Sequence, residues 1–303
     1  MDRLLANILE TNKMSVAYRY PLHKITRLGV GGIADIFFKP INLQNLINFL
    51  KILPANYPIT YIGSGSNILI KDSGIRGVVI KLTSKFAKVT YDGKHITVGG
   101  AALNYSLTQF ALQNSVANLE FLCGIPGSIG GSVFMNAGCY GWEMKDIISE
   151  VTLLDKYGNL TILQNNEINF NYRTSNLPKD LLVIEAKIIA KKGDFDSVKK
   201  RMEQITTERS ISQPYTAKTA GSTFMNPPNH KAWQLIESVG LRGFKIGDAS
   251  FSEKHCNFLI NHGNATAQNF EDLINLAIKK VKEKYNIELI LEVKILGNYE
   301  QHQ

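Results

Sequence analysis

Residues 58–70 read PITYIGSGSNILI: a short β-type run, the turn Gly63-Ser64-Gly65-Ser66-Asn67, and a second apolar run. Successive backbone N–H groups in such a turn can form an anion nest, and glycine lets a diphosphate approach the backbone closely. A dinucleotide fingerprint G-x-G-x-x-G would need glycine at 68, where Ile68 stands, with a helix to follow. Ile68, Leu69 and Ile70 look like strand instead. A P-loop would need Gly-Lys-Ser/Thr, which does not follow. The loop therefore excludes both common nucleotide folds. It stands either as a tight structural turn or as a phosphate loop of another kind.

Outward from this loop the chain alternates short strands with few helices. Residues 34–40, 77–82, 89–92 and 95–100 read as strands, the last two joined by an Asp-Gly turn at 92–93. Residues 42–53 place Leu43, Leu46, Ile47 and Leu50 at helical spacing behind Asn42 as N-cap, and 103–114 read as a second helix. Further strands are expected at 148–155, 159–163 and 181–190, then a polar connecting helix at 194–210. Beyond it come a helix at 231–238, a strand at 256–260, a helix at 267–285 and a closing strand at 287–296. The 267–285 stripe is Phe270, Leu273, Ile274, Ala277, Ile278, Val281 and Tyr285. A second glycine-rich stretch, CGIPGSIGGSVFMNAGCYG at 123–141, carries six glycines beside Ser128, Ser132, Asn136 and Ala137. Either small residues pack tightly there or a cofactor lies across the backbone. GVGG at 29–32 is a third glycine turn.

Composition bounds the class. The 303 residues suggest about two domains, and 44% apolar with 20% charged residues exclude wholesale disorder and coiled coil. The net charge is +8, with 23 basic and 16 acidic residues in 1–207 and 11 and 10 in 208–303. The basic residues are mostly lysines scattered singly, which favours solubility charge or small anionic ligands over a nucleic-acid face; no stacking aromatics accompany them. Cys123, Cys139 and Cys256 fit no zinc spacing and point to a reducing compartment. The start, MDRLLANILETNK, is amphipathic without a signal-peptide core, and no apolar run approaches membrane-spanning length, so a cytoplasmic protein is expected.

Six segments together resemble the UDP-N-acetylenolpyruvoylglucosamine reductase family: GVGGIADIFF (29–38), YIGSGSNILI (61–70), GIPGSIGGSVFMNAGCYG (124–141), FNYRTS (170–175), AGSTFMNP (220–227) and LEVKILG (291–297). They stand in the family's order over nearly the whole chain. The resemblance implies an α+β fold: a two-lobed FAD-binding domain of the vanillyl-alcohol-oxidase type at 1–205, with lobes of about 1–82 and 83–205, and a smaller α+β substrate-binding domain at 206–303. No insertion carries an extra tyrosine loop, so the chain is more similar to the family's shorter branch. It also implies a bacterial, cytoplasmic enzyme of peptidoglycan precursor synthesis. NADPH and enolpyruvyl-UDP-N-acetylglucosamine are its partners, with no nucleic acid, membrane insertion or protein partner. FAD is expected to be non-covalent, held by Gly63, Ser64, Gly65, Ser66 and Asn67 and by Gly127, Ser128, Gly130, Gly131, Asn136, Ala137 and Gly138. Histidines 23, 95, 230, 255, 262 and 302 form no metal set, and none lies in the 63–67 loop.

The resemblance gives three residues the chemistry. Arg173 stabilises the enolate that forms as the enol ether is reduced, since a guanidinium grips a carboxylate with two bonds. Ser222 delivers a proton to C2. Glu292 helps hold the enol form. On local pattern each has an ordinary reading too: a surface ion pair, a turn residue and a solvated strand carboxylate. Tyr172, Lys218 and Asn226 are weaker candidates for the substrate or its diphosphate. Tyr140 and Trp142 either line the flavin pocket or pack in the core. A flavin oxidase or dehydrogenase on the same fold, acting on another substrate, is the alternative, and a nucleic-acid-binding module is a second; the Arg173, Ser222 and Glu292 motifs argue for the reductase.

Overall fold

The structure, a computed structural model, describes residues 3–297. Local sequence sets most of its elements. The Asn42 side chain accepts the Asn45 N–H and opens the helix Leu43–Ile52, which buries Leu46, Phe49 and Leu50. Phe49 stacks on Phe38 with ring centroids 3.8 Å apart. Thr266 and Asn269 form a capping box at the start of Ala267–Tyr285, and Asn286 ends that helix in the left-handed region. Of the expected stripe, Phe270, Leu273, Ile274, Ala277 and Val281 are buried, while Ile278 is partly buried and Tyr285 is exposed.

The chain divides into two compact units: one of residues up to 19, 35–64 and 77–207, the other of 20–34, 65–76 and 208 onward. A linear division at 205 leaves out the two N-terminal segments of the second unit. Strand pairing and core packing place them there. Ile68–Ile70 runs parallel to Lys294–Leu296, with Ile68 opposite Lys294, and Leu28 and Val30 are buried with Phe224, Phe251 and Phe270.

The first unit is built on two sheets. One orders its strands Val16–Pro21, Ile33–Phe38, Ile75–Ile80, Ile59–Tyr61, the last two parallel. Its core includes Ile36, Phe38, Leu46, Phe49, Val78 and Ile80. The other is antiparallel and orders Leu160–Gln164, Ile148–Leu154, Leu182–Ile189, His95–Gly99, Val89–Tyr91. Ile96, Val98, Val151, Leu153 and Ile188 lie in its own core. The glycine stretch holds a short helix, Ile129–Phe134, that its composition does not announce.

In the second unit Lys245–Ile246, Ala249–Phe251 and Leu259–Asn261 form an antiparallel sheet against Ala267–Tyr285. The closing strand is shorter than its alternation predicts: only Lys294–Leu296 is regular. Residues before it pair elsewhere. The Met225 N–H reaches the Ile290 carbonyl at 2.8 Å and the Glu292 N–H reaches the Thr223 carbonyl at 2.9 Å, whereas the Lys294 N–H reaches Asn67 at 3.0 Å. The change of partner at 292–294 breaks the ladder.

Candidate active site

The candidate cofactor residues separate into three groups. Gly63, Ser128 and Gly131 come together: a Cβ on Gly63 would lie 2.5 Å from Ser128 Oγ, and one on Gly131 would lie 3.6 Å from it. Ser128 Oγ is buried and has no hydrogen-bond partner among the described residues, a costly state that a ligand can relieve. Other glycines are explained by packing. A Cβ on Gly130 would press on the Gly100 carbonyl, and one on Gly138 on Trp142 and Glu143. Gly65 has φ +74 and a Cβ there would run into the Ile25 carbonyl. The Gly127 carbonyl accepts the Asn104 N–H, and the Ala137 N–H donates to Ser132. The third group has side chains already engaged. Asn67 donates to the Glu292 carbonyl at 3.1 Å. Asn136, 0% exposed, donates from Nδ2 to Glu143 and to the Asn171 carbonyl and accepts the Lys145 N–H. Ser64 and Ser66 flank Gly65 on the same loop.

Arg173 lies in the first unit at the tip of a two-residue turn. Asn171 and Thr174 exchange backbone hydrogen bonds of 2.9 and 3.2 Å across it, and Arg173 takes φ +57, rare for a side-chain-bearing residue. The guanidinium stacks over the Tyr172 ring at 4.8 Å and its NH1 lies 3.5 Å from Glu143 Oε1, both side chains 18% exposed. Tyr172 itself is half-exposed.

Ser222 and Glu292 lie in the second unit, and backbone bonds bring them close in register. Ser222 bridges Phe258 and Phe224 bridges Leu291. The Thr223 N–H donates to the Asn257 carbonyl at 2.7 Å, and the Thr223 carbonyl accepts the Glu292 N–H. Asn257, buried, clamps Phe224 through both ends of its amide, at 3.0 and 2.8 Å. Lys218 bridges Asn261 and packs its stem by Gly29. Asn226 Oδ1 accepts the Ala232 N–H at 3.0 Å and so opens the helix Ala232–Ser238.

Two residues went unmarked by the sequence reading. Lys81 donates to the Gly63 carbonyl, and burial, then Lys39, pull its pKa below that of an ordinary lysine. Glu143 joins Asn136 to Arg173. Neither belongs to a motif; only the fold brings them to their partners. Tyr140 has the Arg201 guanidinium 5.3 Å over its ring and packs by Cys123 and Met202, and Trp142 is exposed. A cavity of about 250 Å³ lined by Tyr57, Tyr61, Lys156 and Asp180 holds none of the predicted site residues. Among the described residues no three His, Cys, Asp or Glu side chains are grouped to hold a metal; His302 lies outside them. No described helix is long and apolar enough to cross a membrane. The three cysteines form no disulfide.

Residues 213–296 match the family described as UDP-N-acetylenolpyruvoylglucosamine reductase, C-terminal domain, and residues 34–164 match an FAD binding domain. The UDP-N-acetylenolpyruvoylglucosamine reductase of Rickettsia akari is 47% identical over 96% of this chain and 99% of its own. That of Rickettsia prowazekii is 49% identical over 92% and 95%. The chain belongs to the UDP-N-acetylenolpyruvoylglucosamine reductase family. A crystal structure of that reductase from Thermus caldophilus aligns with TM-score 0.80 and 32% identity over 94% of this chain and 99% of that one. The reductase is thus a flavin oxidoreductase with an FAD-binding domain in an α+β fold, and its reaction class takes a UDP-sugar and a nicotinamide nucleotide. Gly63, Ser128 and Gly131 suit such a cofactor: a buried hydroxyl with no partner among the described residues, beside two positions without side chains, can donate to a phosphate.

Proposed function

We propose that the protein reduces enolpyruvyl-UDP-N-acetylglucosamine to UDP-N-acetylmuramate, with residues 1–205 holding FAD non-covalently and 206–303 binding the sugar nucleotide. Bound FAD supplies the hydride relay between NADPH and C3 of the enol ether. The protein's residues handle charge and proton. Arg173 binds the substrate carboxylate and stabilises the enolate as negative charge spreads from C2. Ser222 hands its hydroxyl proton to C2. Serine is a weak acid, so neighbouring groups must stabilise the alkoxide left behind. Glu292 helps keep the carboxylate in its enol form, with a shared proton or the arginine moderating the two like charges. Tyr172, Lys218 and Asn226 contact the substrate, and the cytoplasm is the site of action.

The observation that carries this reading is the pairing of Ser222 and Glu292 within one unit. Residue 223, next to the serine, accepts the Glu292 N–H at 2.9 Å, so the two side chains have a common rigid base. The test is Ser222→Ala in the two half-reactions. Flavin reduction by NADPH stays close to wild type, and oxidation by the enolpyruvyl substrate slows about 10²–10⁴-fold, the span of general-acid contributions. Equal loss in both halves rejects the proton-donor role. A yellow protein indifferent to the sugar nucleotide would favour the oxidase alternative.

A further inference from the structure

Glu143 has no part in the mechanism above, yet its carboxylate is the most heavily used near Arg173. It lies 3.5 Å from Arg173 NH1, 2.9 Å from Lys145 Nζ and 3.0 Å from Asn136 Nδ2. It also accepts the Asp146 N–H in a capping box, while the Glu143 N–H donates to Asp146 Oδ2. Asn136 closes the ring, because the same amide nitrogen donates to the Asn171 carbonyl at the base of the arginine turn. One buried amide therefore fixes both the backbone that carries Arg173 and the acid that faces it.

We propose that Glu143 is the positioning residue for Arg173, holding one edge of its guanidinium so that the fork meets the substrate carboxylate in a single orientation. The inference rests on the role given to Arg173. An arginine on an exposed turn has several rotors to order before it can grip a carboxylate with two bonds. Here the Tyr172 ring restrains one face at 4.8 Å and Glu143 restrains an edge. Glu143 lies between Arg173 and Lys145, and the Asp146 carboxylate sits on its own N–H, so the cluster is close to neutral and acts on Arg173 by orientation, not by net charge.

The test uses the FAD-loaded enzyme with Glu143→Gln, Arg173→Lys, the double variant and Lys145→Met, and reads each half-reaction separately. Glu143→Gln should slow oxidation by the enolpyruvyl substrate about 10–100-fold, the cost of a misplaced catalytic group. It should weaken that substrate's equilibrium binding to the oxidised enzyme while leaving flavin reduction by NADPH within about threefold of wild type. Arg173→Lys should slow the same step, and the double variant should be little worse than Arg173→Lys alone, since residues acting through one another are not additive. Lys145→Met, which removes a Glu143 partner without touching the arginine, should stay within about threefold of wild type in both halves. A thermal melt checks folding. Should Glu143→Gln not fold, Glu143→Asp keeps cap and charge, withdraws the carboxylate by one methylene, and must give the same selective loss. Equal loss in both half-reactions, or effects of Glu143→Gln and Arg173→Lys that multiply, overturns the inference. A slow Arg173→Lys beside an unaffected Glu143→Gln removes the role of Glu143 alone. An unaffected Arg173→Lys removes the role of Arg173 and the inference with it.

Discussion

Two buried asparagines organise the two regions that carry the candidate catalytic residues, and they do so differently. Asn257 clamps backbone: both ends of its amide bond Phe224, two residues from Ser222. Asn136 clamps side chains as well: it bonds the Asn171 carbonyl, the Lys145 N–H and the Glu143 carboxylate that faces Arg173. A serine is short, so fixing its strand fixes its hydroxyl. An arginine is long, so fixing its turn leaves the guanidinium loose, and a further anchor is needed at the far end.

The largest expected effect follows from removing these amides. Asn136→Ala breaks three part-buried hydrogen bonds, one of them to a charged carboxylate, and puts alanine at φ +43. We expect a loss of about 3–4 kcal/mol in urea unfolding. Asn136→Gly should recover about 1 kcal/mol by relieving the backbone alone. Asn257→Ala orphans the two Phe224 groups and should cost about 2–3 kcal/mol. The contrast breaks if Asn257→Ala is the costlier change, because backbone clamping would then dominate in both regions.

Ser128 sharpens the contrast from the other side. In the second unit the buried Ser250 hydroxyl meets His262 at 2.8 Å and Ser252 Oγ accepts the Lys254 and His255 N–H groups. Ser128 Oγ has no such partner among the described residues. Ser128→Ala should stabilise the flavin-free protein by about 1 kcal/mol, since an unpaired buried hydroxyl disappears. It should also weaken FAD binding about tenfold, the loss of one hydrogen bond to a charged group. Opposite signs in a thermal melt of the flavin-free protein and an FAD titration are the signature. A fall in both would mean that the hydroxyl is structural.

Much of this was legible beforehand because its causes are local. The caps at Asn42 and Thr266 and the stripe from Phe270 to Val281 need only neighbours in sequence, and the helix ends match within a residue or two. The candidates Arg173, Ser222 and Glu292 come from the resemblance and not from local pattern, which gives each an ordinary reading. What stayed hidden depends on long-range pairing. The strand before Lys294 is irregular because it changes partner from 223–225 to 67–70, and alternation of apolar residues carries no record of which strand is adjacent. Residues 20–34 and 65–76 join the second unit for the same kind of reason. Glu143 was invisible because an acid in a loop becomes meaningful only when the fold brings an arginine thirty residues later to it. The glycines of 124–141 were ambiguous in composition because they do two jobs: Gly130 and Gly138 accommodate protein backbone, whereas Gly131 faces Ser128.

The smallest effect concerns the backbone clamp itself. His255 precedes Asn257 in the turn that holds Ser222, and its Nδ1 accepts the Asn257 N–H at 3.3 Å, which requires an unprotonated Nδ1. Burial lowers its pKa below the ordinary histidine value of 6.5, with Arg242 and Arg209 adding to the shift. Its ring meets Phe258 edge-on at 4.8 Å. With the folded pKa below the unfolded one, the unfolded chain takes up the proton first as pH falls. Stability is therefore complete above about pH 6.5 and declines as pH drops below it, by at most about 1.4 kcal/mol per pH unit for one proton. His255→Phe keeps the aromatic edge and removes the proton. Between pH 7.5 and 5.5, urea unfolding should therefore show a smaller loss of stability for the variant than for the wild type. Identical losses would place the ring in contact with water when folded. In that case Asn257 and its amide, not the packed turn around them, would be all that holds the serine strand in place.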